Sequence, residues 1–351
     1  MSDRLDRLRS ALADLGASAI LVAHPTNVLY LTCFSSSNAA VLLDSDRARL
    51  LTDGRYVEAA RGLAGVEVVH AERDLFGDLG KRLPELVQGP VAFEAEHLTF
   101  AQHTKLAAGG ATLVPAKQSV ERLRAVKEPG ELDAVRRSGR LLNEAFELLG
   151  REQVSGRTEA ALAWWMERTI RELGAEAVSF PPIVASGPNA ALPHHHPGQR
   201  VVEPGDVLLV DAGAVVDGYC SDCTRTFAVG EVAPPLQRAY DVCLEAQLRS
   251  LEAVAPGASG QAVDAIARGI IREYGYDVMH GLGHGVGLAI HEEPRLAETS
   301  GDELAVANVV TVEPGVYLAG IGGIRIEDMV VVGETGPEVL TPVTKELVVL
   351  S

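Results

Sequence analysis

The chain is poor in cysteine, in basic residues and in long uncharged runs. Cysteine occupies four of 351 positions: Cys33, Cys220, Cys223 and Cys243. Four is too few for a disulfide framework, and reduced thiols in a cytoplasmic protein are the expected state. The longest stretch without a formal charge, Leu15 to Leu43, is broken by His24-Pro25-Thr26-Asn27 and Ser35-Ser36-Ser37-Asn38. It is no membrane span and is expected to form short buried strands joined by turns. The N-terminal MSDRLDRLRSALADLG carries Asp3 and Asp6 where a signal peptide needs an apolar core. Lysine plus arginine number 31 against 48 aspartate plus glutamate, a formal charge of −17. That deficit argues against a nucleic-acid-binding or anionic-lipid-binding surface.

What remains is ordinary globular sequence, 47% hydrophobic and 23% charged, long enough for two domains. The first 120 residues alternate helix and strand signals, which predicts a compact α/β domain. Leu5, Leu8, Leu12 and Leu15 recur at helical spacing up to Gly16. Strands are expected at 19–23, 41–43, 49–52, 66–69, 90–93 and 112–114, and helices at 55–63, 76–88 and 99–108. This region shows no metal-ligand cluster, phosphate loop or nucleophile elbow. A boundary near 120 separates it from residues 121–351. There Pro129 opens a helix whose end Gly150 should cap.

The second region contains a faint internal repeat. Ser155-Gly156 and Ser259-Gly260 each open a helix, closing at Ile170-Arg171-Glu172-Leu173-Gly174 and Ile271-Arg272-Glu273-Tyr274-Gly275. Each has a helix before it and glycine-rich strand sequence after it. Two similar halves with a cleft between them are expected.

Acidic residues punctuate the apolar strands of both halves. In VLLVDAGAVVDGYCSDCTRTFAV, Asp211 and Asp222 are symmetric about a point just before the Asp217-Gly218 turn, so they are expected to face each other. In VVTVEPGVYLAGIGGIRIEDMVVV, Glu313 and Glu327 are symmetric about Gly320. Carboxylates that close need a cation between them. Between the hairpins, MHGLGHGVGLAIHEEP offers His280, His284 and His291. Four carboxylates and one imidazole make a hard ligand set suited to divalent ions such as Mn²⁺ or Co²⁺. Cys220 and Cys223 alternate around Asp222 without a second cysteine pair, which favours packing over zinc.

These segments, with GGIRIED, resemble the pita-bread metallopeptidases: methionine aminopeptidase, aminopeptidase P and prolidase. An α/β domain ahead of the match resembles the Xaa-Pro branch, and ALPHHH resembles a prolidase segment that singles out His194. The resemblance implies an α+β protein with a creatinase-like N-terminal domain over 1–120 and a pita-bread domain over 121–351. It implies two divalent ions, manganese first and cobalt or zinc as alternatives. Asp222 and Glu327 would bridge them, Asp211 would chelate one, and His284 and Glu313 the other. Such a pair activates a hydroxide and polarises the scissile carbonyl. Glu313 would also relay the proton, while His291 and His194 would stabilise the oxyanion. His280 and Arg325 would line or brace the substrate site, and Arg295 would be the cation for a substrate carboxylate.

The implied reaction is hydrolysis of the bond preceding proline in short peptides, as an Xaa-Pro dipeptidase. The alternatives are an aminopeptidase P acting on longer peptides and, from another class, an inactive peptidase-fold binding protein. The expected assembly is a homodimer with no nucleic-acid or membrane partner.

Overall fold

A computed structural model describes residues 2–351, which fall into two units divided between Arg124 and Ala125. The division lies just past the expected boundary.

Unit 1 comprises helices α1 (Ser2–Ser10), α2 (Pro25–Thr32), α3 (Val57–Ala60), α4 (Leu75–Leu86) and α5 (Phe100–Ala107), and strands β1 (Ala19–Val22), β2 (Ala39–Asp44), β3 (Ala48–Thr52), β4 (Glu67–His70), β5 (Val91–Glu94) and β6 (Leu113–Ala116). A further helix, α6 (Glu121–Ala125), leads into unit 2. The six strands form one mixed sheet in the order β4-β3-β2-β1-β5-β6. The run from Leu15 to Leu43 is not all strand and turn. Pro25 sits at the first position of α2, where its missing N–H has no intrahelical partner to lose. Two expected helices are shorter: α1 stops at Ser10 and continues as turns to Gly16, and α3 is a single turn.

Unit 2 opens with α7 (Pro129–Leu149) and α8 (Glu159–Glu172), followed by β7 (Ala177–Val178), β8 (Ile183–Ser186), β9 (Val207–Ala212), β10 (Ala214–Val216), β11 (Tyr219–Cys220) and β12 (Cys223–Val229). A second pair, α9 (Pro234–Glu252) and α10 (Gly260–Glu273), precedes β13 (Gly283–Gly285), β14 (Glu292–Leu296), β15 (Val309–Val312), β16 (Gly315–Leu318), β17 (Gly322–Arg325), β18 (Asp328–Gly333), β19 (Gly336–Val339) and β20 (Val349–Leu350). The internal repeat is present, but its first helix opens at Thr158, not at the expected Ser155-Gly156, where Gly156 has φ +84° ahead of the helix. Thr158 and Ser259 cap equivalent helices, and each makes an isolated β-bridge, to Val201 and to Glu303. Gly174 and Gly275 both take positive φ after those helices, which is why both echoes end in glycine. Gly150 differs from expectation: its φ is −57°, so it closes α7 without a left-handed cap.

The central strands are buried on both faces. Along β9, Leu208, Val210 and Ala212 pack with α7 and α8, whereas Val207 and Leu209 pack with α9 and α10. Along β18, Val330 and Val332 face the α9–α10 core, and Met329 and Val331 the opposite side. Two covered faces explain why these strands read as nearly continuous apolar runs. A carboxylate within them is enclosed unless it opens onto a cavity.

Candidate metal centre

The first hairpin turns on Asp217 and Gly218, with φ of 50° and 78°. Positive φ at both positions gives the two-residue turn that matches strand twist. Its register pairs Val216 with Tyr219, Val215 with Cys220 and Asp211 with Thr224. Asp211 therefore faces Thr224 rather than Asp222. The symmetry point lies one residue later than expected because the turn residues are Asp217 and Gly218 themselves. The alternation of side chains still serves the site, since Asp222 falls opposite position 213, on the same face as Asp211.

The second hairpin follows the expected register. Val312 pairs with Asp328 and Gly315 with Arg325, about a turn in which Gly320 has φ +75°. Glu313 and Glu327 sit in matching breaks of the two strands, opposite each other. His284 lies on β13 between glycines that the packing requires. A Cβ on Gly283 would stand 2.0 Å from the Thr311 carbonyl oxygen, and one on Gly285 2.3 Å from that of Glu293.

These elements converge on a cavity of about 320 Å³ in unit 2. Asp211, Asp222, His284, Glu327, His291 and His194 line it. Ligand atoms of Asp222, His284 and Glu327 all lie within 4.8 Å of one another. His284 Nε2 stands 3.5 Å from Asp222 Oδ2 and 3.4 Å from Glu313 Oε1. The His284 ring places Nδ1 3.0 Å from the Gly285 carbonyl oxygen, which can only accept. Nδ1 therefore carries the proton, and Nε2 turns a bare lone pair toward the space between the carboxylates, where a cation would accept it.

Three carboxyls here are held above their ordinary range. Burial pushes Asp222 up, and Glu327, Asp211 and Glu313 push it further. Burial and then Glu313 and Asp211 do the same to Glu327, and burial raises Glu313. Burial lowers His280, His284 and His291, so they favour the neutral imidazole. Asp211 Oδ1 and Glu327 Oε1 are buried without a hydrogen-bond partner. Crowded carboxyls, two orphaned oxygens and a bare imidazole nitrogen fit divalent metal.

The other oxygens are occupied, which orients the orphans. Thr224 donates its hydroxyl to Glu327 Oε2 at 2.6 Å, and Arg325 binds Asp211 Oδ2. Arg325 lines the cavity, yet its Nε reaches the Thr224 hydroxyl and its Nη1 reaches the Pro193 carbonyl and Tyr317 hydroxyl. Of the two expected roles, lining and bracing, these hydrogen bonds give Arg325 the bracing one, and it lines the cavity as well. His280 does not line the cavity; its Nε2 meets the Tyr317 hydroxyl at 2.8 Å, one residue behind Arg325. Arg295 is also off the cavity wall, with a side chain 70% exposed beside Glu293. His291 packs edge-on against His284 at 4.4 Å.

His194 and His195 follow a 3-10 turn (Gly187–Ala191). His195 Nε2 contacts Glu159 Oε2 at 2.8 Å, and the fully buried Glu159 also accepts from Ser186, Asn189 and the Gly198 N–H. Sequence reasoning missed Glu159, Thr224 and Tyr317. It also missed Arg225, whose guanidinium binds Asp328 at 2.7 Å and the carbonyl oxygens of Glu327 and Val343. An arginine inside the apolar CTRTFAV was the one available signal.

The sequence profile of metallopeptidase family M24 matches residues 133–334, and that of the creatinase/prolidase N-terminal domain matches residues 4–126. The chain belongs to metallopeptidase family M24. An Xaa-Pro dipeptidase of Pyrococcus furiosus is 32% identical, covering 99% of this chain and 100% of that protein. Among solved structures, an Xaa-Pro dipeptidase from Bacillus anthracis superposes with a TM-score of 0.95 at 38% identity, over 99% of each chain. An X-Pro aminopeptidase from Thermotoga maritima gives 0.87 at 33%, over 97% of this chain and 100% of that one. This M24 chain is thus a metallopeptidase with the pita-bread catalytic fold, and its family uses divalent metal. Among the described residues, no helix is long and apolar enough to cross a membrane.

Proposed function

We propose that this metallopeptidase is an Xaa-Pro dipeptidase that works with two divalent ions, manganese first. The observation that carries the reading is the cluster of Asp222, His284 and Glu327 beside the orphaned Asp211 Oδ1, opening onto a cavity that His194 and His291 also line. Asp211, Asp222, His284, Glu313 and Glu327 would hold the ions. Bound there, the ions would supply Lewis acidity toward a carbonyl and a water acidic enough to attack it.

The chain's own residues do the rest. Arg325 and Thr224 each tie one oxygen of Asp211 and Glu327 and leave the other directed at the site. His291 and His194, which both line the cavity, would donate hydrogen bonds to the carbonyl oxygen of the residue preceding proline. Glu313, whose Oε1 lies 3.4 Å from His284 Nε2, would hold the proton that the leaving imino nitrogen needs. The cavity of about 320 Å³ is near the lower end for small-molecule sites, which favours a dipeptide over a longer chain. The free state of all four cysteines supports a cytoplasmic setting, and a homodimer is proposed from the resemblance.

The test compares Ala-Pro with Ala-Pro-Ala as substrates in the presence of added Mn²⁺. Cleavage of Ala-Pro is expected. Cleavage of the tripeptide alone would make the enzyme an aminopeptidase P. Failure to cut either would revive the binding-protein reading. Light scattering at micromolar concentration should give the mass of a dimer, and a monomer would refute that part.

A further inference from the structure

Unit 1 contains a cavity of about 200 Å³ that the peptidase reading leaves unused. Its walls come from the segments that follow β1 and β5, from the start of β2 and from α4. β1 and β5 are parallel neighbours. Beyond its C-terminal end β1 passes through α2 to β2 on one side, and β5 passes through α5 to β6 on the other. Where connections diverge, neither covers the strand ends and a crevice remains. That is the general position for ligands in open α/β sheets.

Two residues of this crevice carry a buried polar atom with no hydrogen-bond partner: His24 Nδ1 and Ser36 Oγ. Nearby polar groups are already engaged. His97 Nε2 meets Glu121 at 2.8 Å, the Ser37 hydroxyl meets the Tyr56 hydroxyl at 2.7 Å, and the Asn38 amide meets Asp53 at 2.6 Å. His24 is held in place. Its ring stacks on His97 at 4.1 Å, and its backbone N–H donates to Glu94 at 2.7 Å. Burial, then His97 and Arg124, hold this imidazole toward its neutral form, although Glu121 opposes them.

The lining names the ligand class. It includes no lysine, arginine, aspartate or glutamate, so a charged guest would lose its water without a counter-charge. Val28, Leu75, Phe76 and Leu98 supply apolar wall. The volume exceeds the ~30 Å³ share of one water several-fold, yet lies below the ~300 Å³ of common drug-sized sites.

We propose that this crevice is a second binding site, for a small uncharged amide whose carbonyl accepts from Ser36 and whose N–H donates to His24, with its apolar body against Val28 and Phe76. A lactam ring of a few heavy atoms has the matching size and polarity.

The probe is 2-pyrrolidinone, titrated into the full chain and followed by saturation-transfer NMR. Saturable binding with a Kd on the order of 1–10 mM is expected. It should weaken about tenfold in Ser36→Ala and vanish in Ala39→Met, which fills the crevice. L-Proline and acetate, both charged, should not compete. Ser36→Ala carries the argument even if the larger variant misfolds, because removing an unpartnered hydroxyl strands no other group. No saturable signal up to about 50 mM, or equal affinity in Ser36→Ala, overturns the proposal. So does competition by proline and acetate at the same concentration. None of these measurements uses peptide hydrolysis, so this site and the peptidase reading stand or fall separately.

Discussion

Removing the buried carboxylate of Glu159 should damage a site it does not touch. Its Oε1 accepts from the Ser186 N–H and hydroxyl, both at 2.8 Å, and from the Asn189 amide at 3.0 Å. Its Oε2 meets His195 Nε2 at 2.8 Å and accepts from the Gly198 N–H at 3.3 Å. These contacts fasten the segment carrying His194 to α8. In Glu159→Ala the Ser186 donors are stranded in a fully buried position, and the other donors lose their acceptor. At about 1–3 kcal/mol for each donor that water cannot reach, the loss should total roughly 3–5 kcal/mol. At about 2–4 °C per kcal/mol, melting should fall by roughly 10 °C. A shift of His194 by about 1 Å should lower kcat/KM for an Xaa-Pro substrate by up to ~100-fold. Glu159→Gln keeps one carbonyl oxygen, and His195 can turn to the tautomer that accepts from the new amide. Its cost should be about 1–2 kcal/mol, with less than about tenfold loss of activity. Calorimetry and steady-state kinetics on both variants test this. An alanine variant melting within about 2 °C of the parent, with unchanged kcat/KM, would refute the reasoning.

The same carboxyl predicts a pH dependence. Burial pushes Glu159 up, but hydrogen bonds from His195, Ser186 and Asn189 outweigh it and leave the group below its ordinary value. Its stabilisation should be complete above the unfolded carboxyl value of about 4.3 and be lost as pH falls through the lower folded value. The gap in urea midpoint between parent and Glu159→Gln should therefore be constant near neutrality and close in acid; a gap that widens in acid contradicts the assignment. Asp222→Ala should abolish both hydrolysis and the rise in melting temperature on adding Mn²⁺, while circular dichroism stays native; a full Mn²⁺ shift in the variant would remove Asp222 from the ligand set. Gly283→Ala should cost about 1–3 kcal/mol, because its Cβ meets the Thr311 carbonyl oxygen. Gly269→Ala, within α10 and facing open space, should instead stabilise by about 1 kcal/mol, and equal effects in denaturation would refute the packing argument.

Much of the candidate site was legible because its placement is local. Turn residues fix a hairpin, and alternation fixes which side chains share a face. Glu313 and Glu327 took the expected register about Gly320, and Asp211 and Asp222 shared a face even though Asp211 pairs two residues further on, with Thr224. The duplicated helix pair was legible through its terminal glycines and through Ser259, whereas the start of α8 fell at Thr158, three residues past Ser155. Helix α2 was not, because Pro25 reads equally as a turn and as a first helical residue.

The sequence by itself determined the family, the two-part layout and which carboxylates and histidines could meet. Only the tertiary structure decided what holds them. Thr224 reaches Glu327 across 103 positions, and Arg325 reaches Asp211 across 114. It also moved His280 and Arg295 off the cavity wall and revealed the two orphaned atoms of unit 1. Periodicity and turn chemistry act over a few residues, whereas a hydrogen-bond partner is chosen by whatever the packed layers bring within about 3 Å.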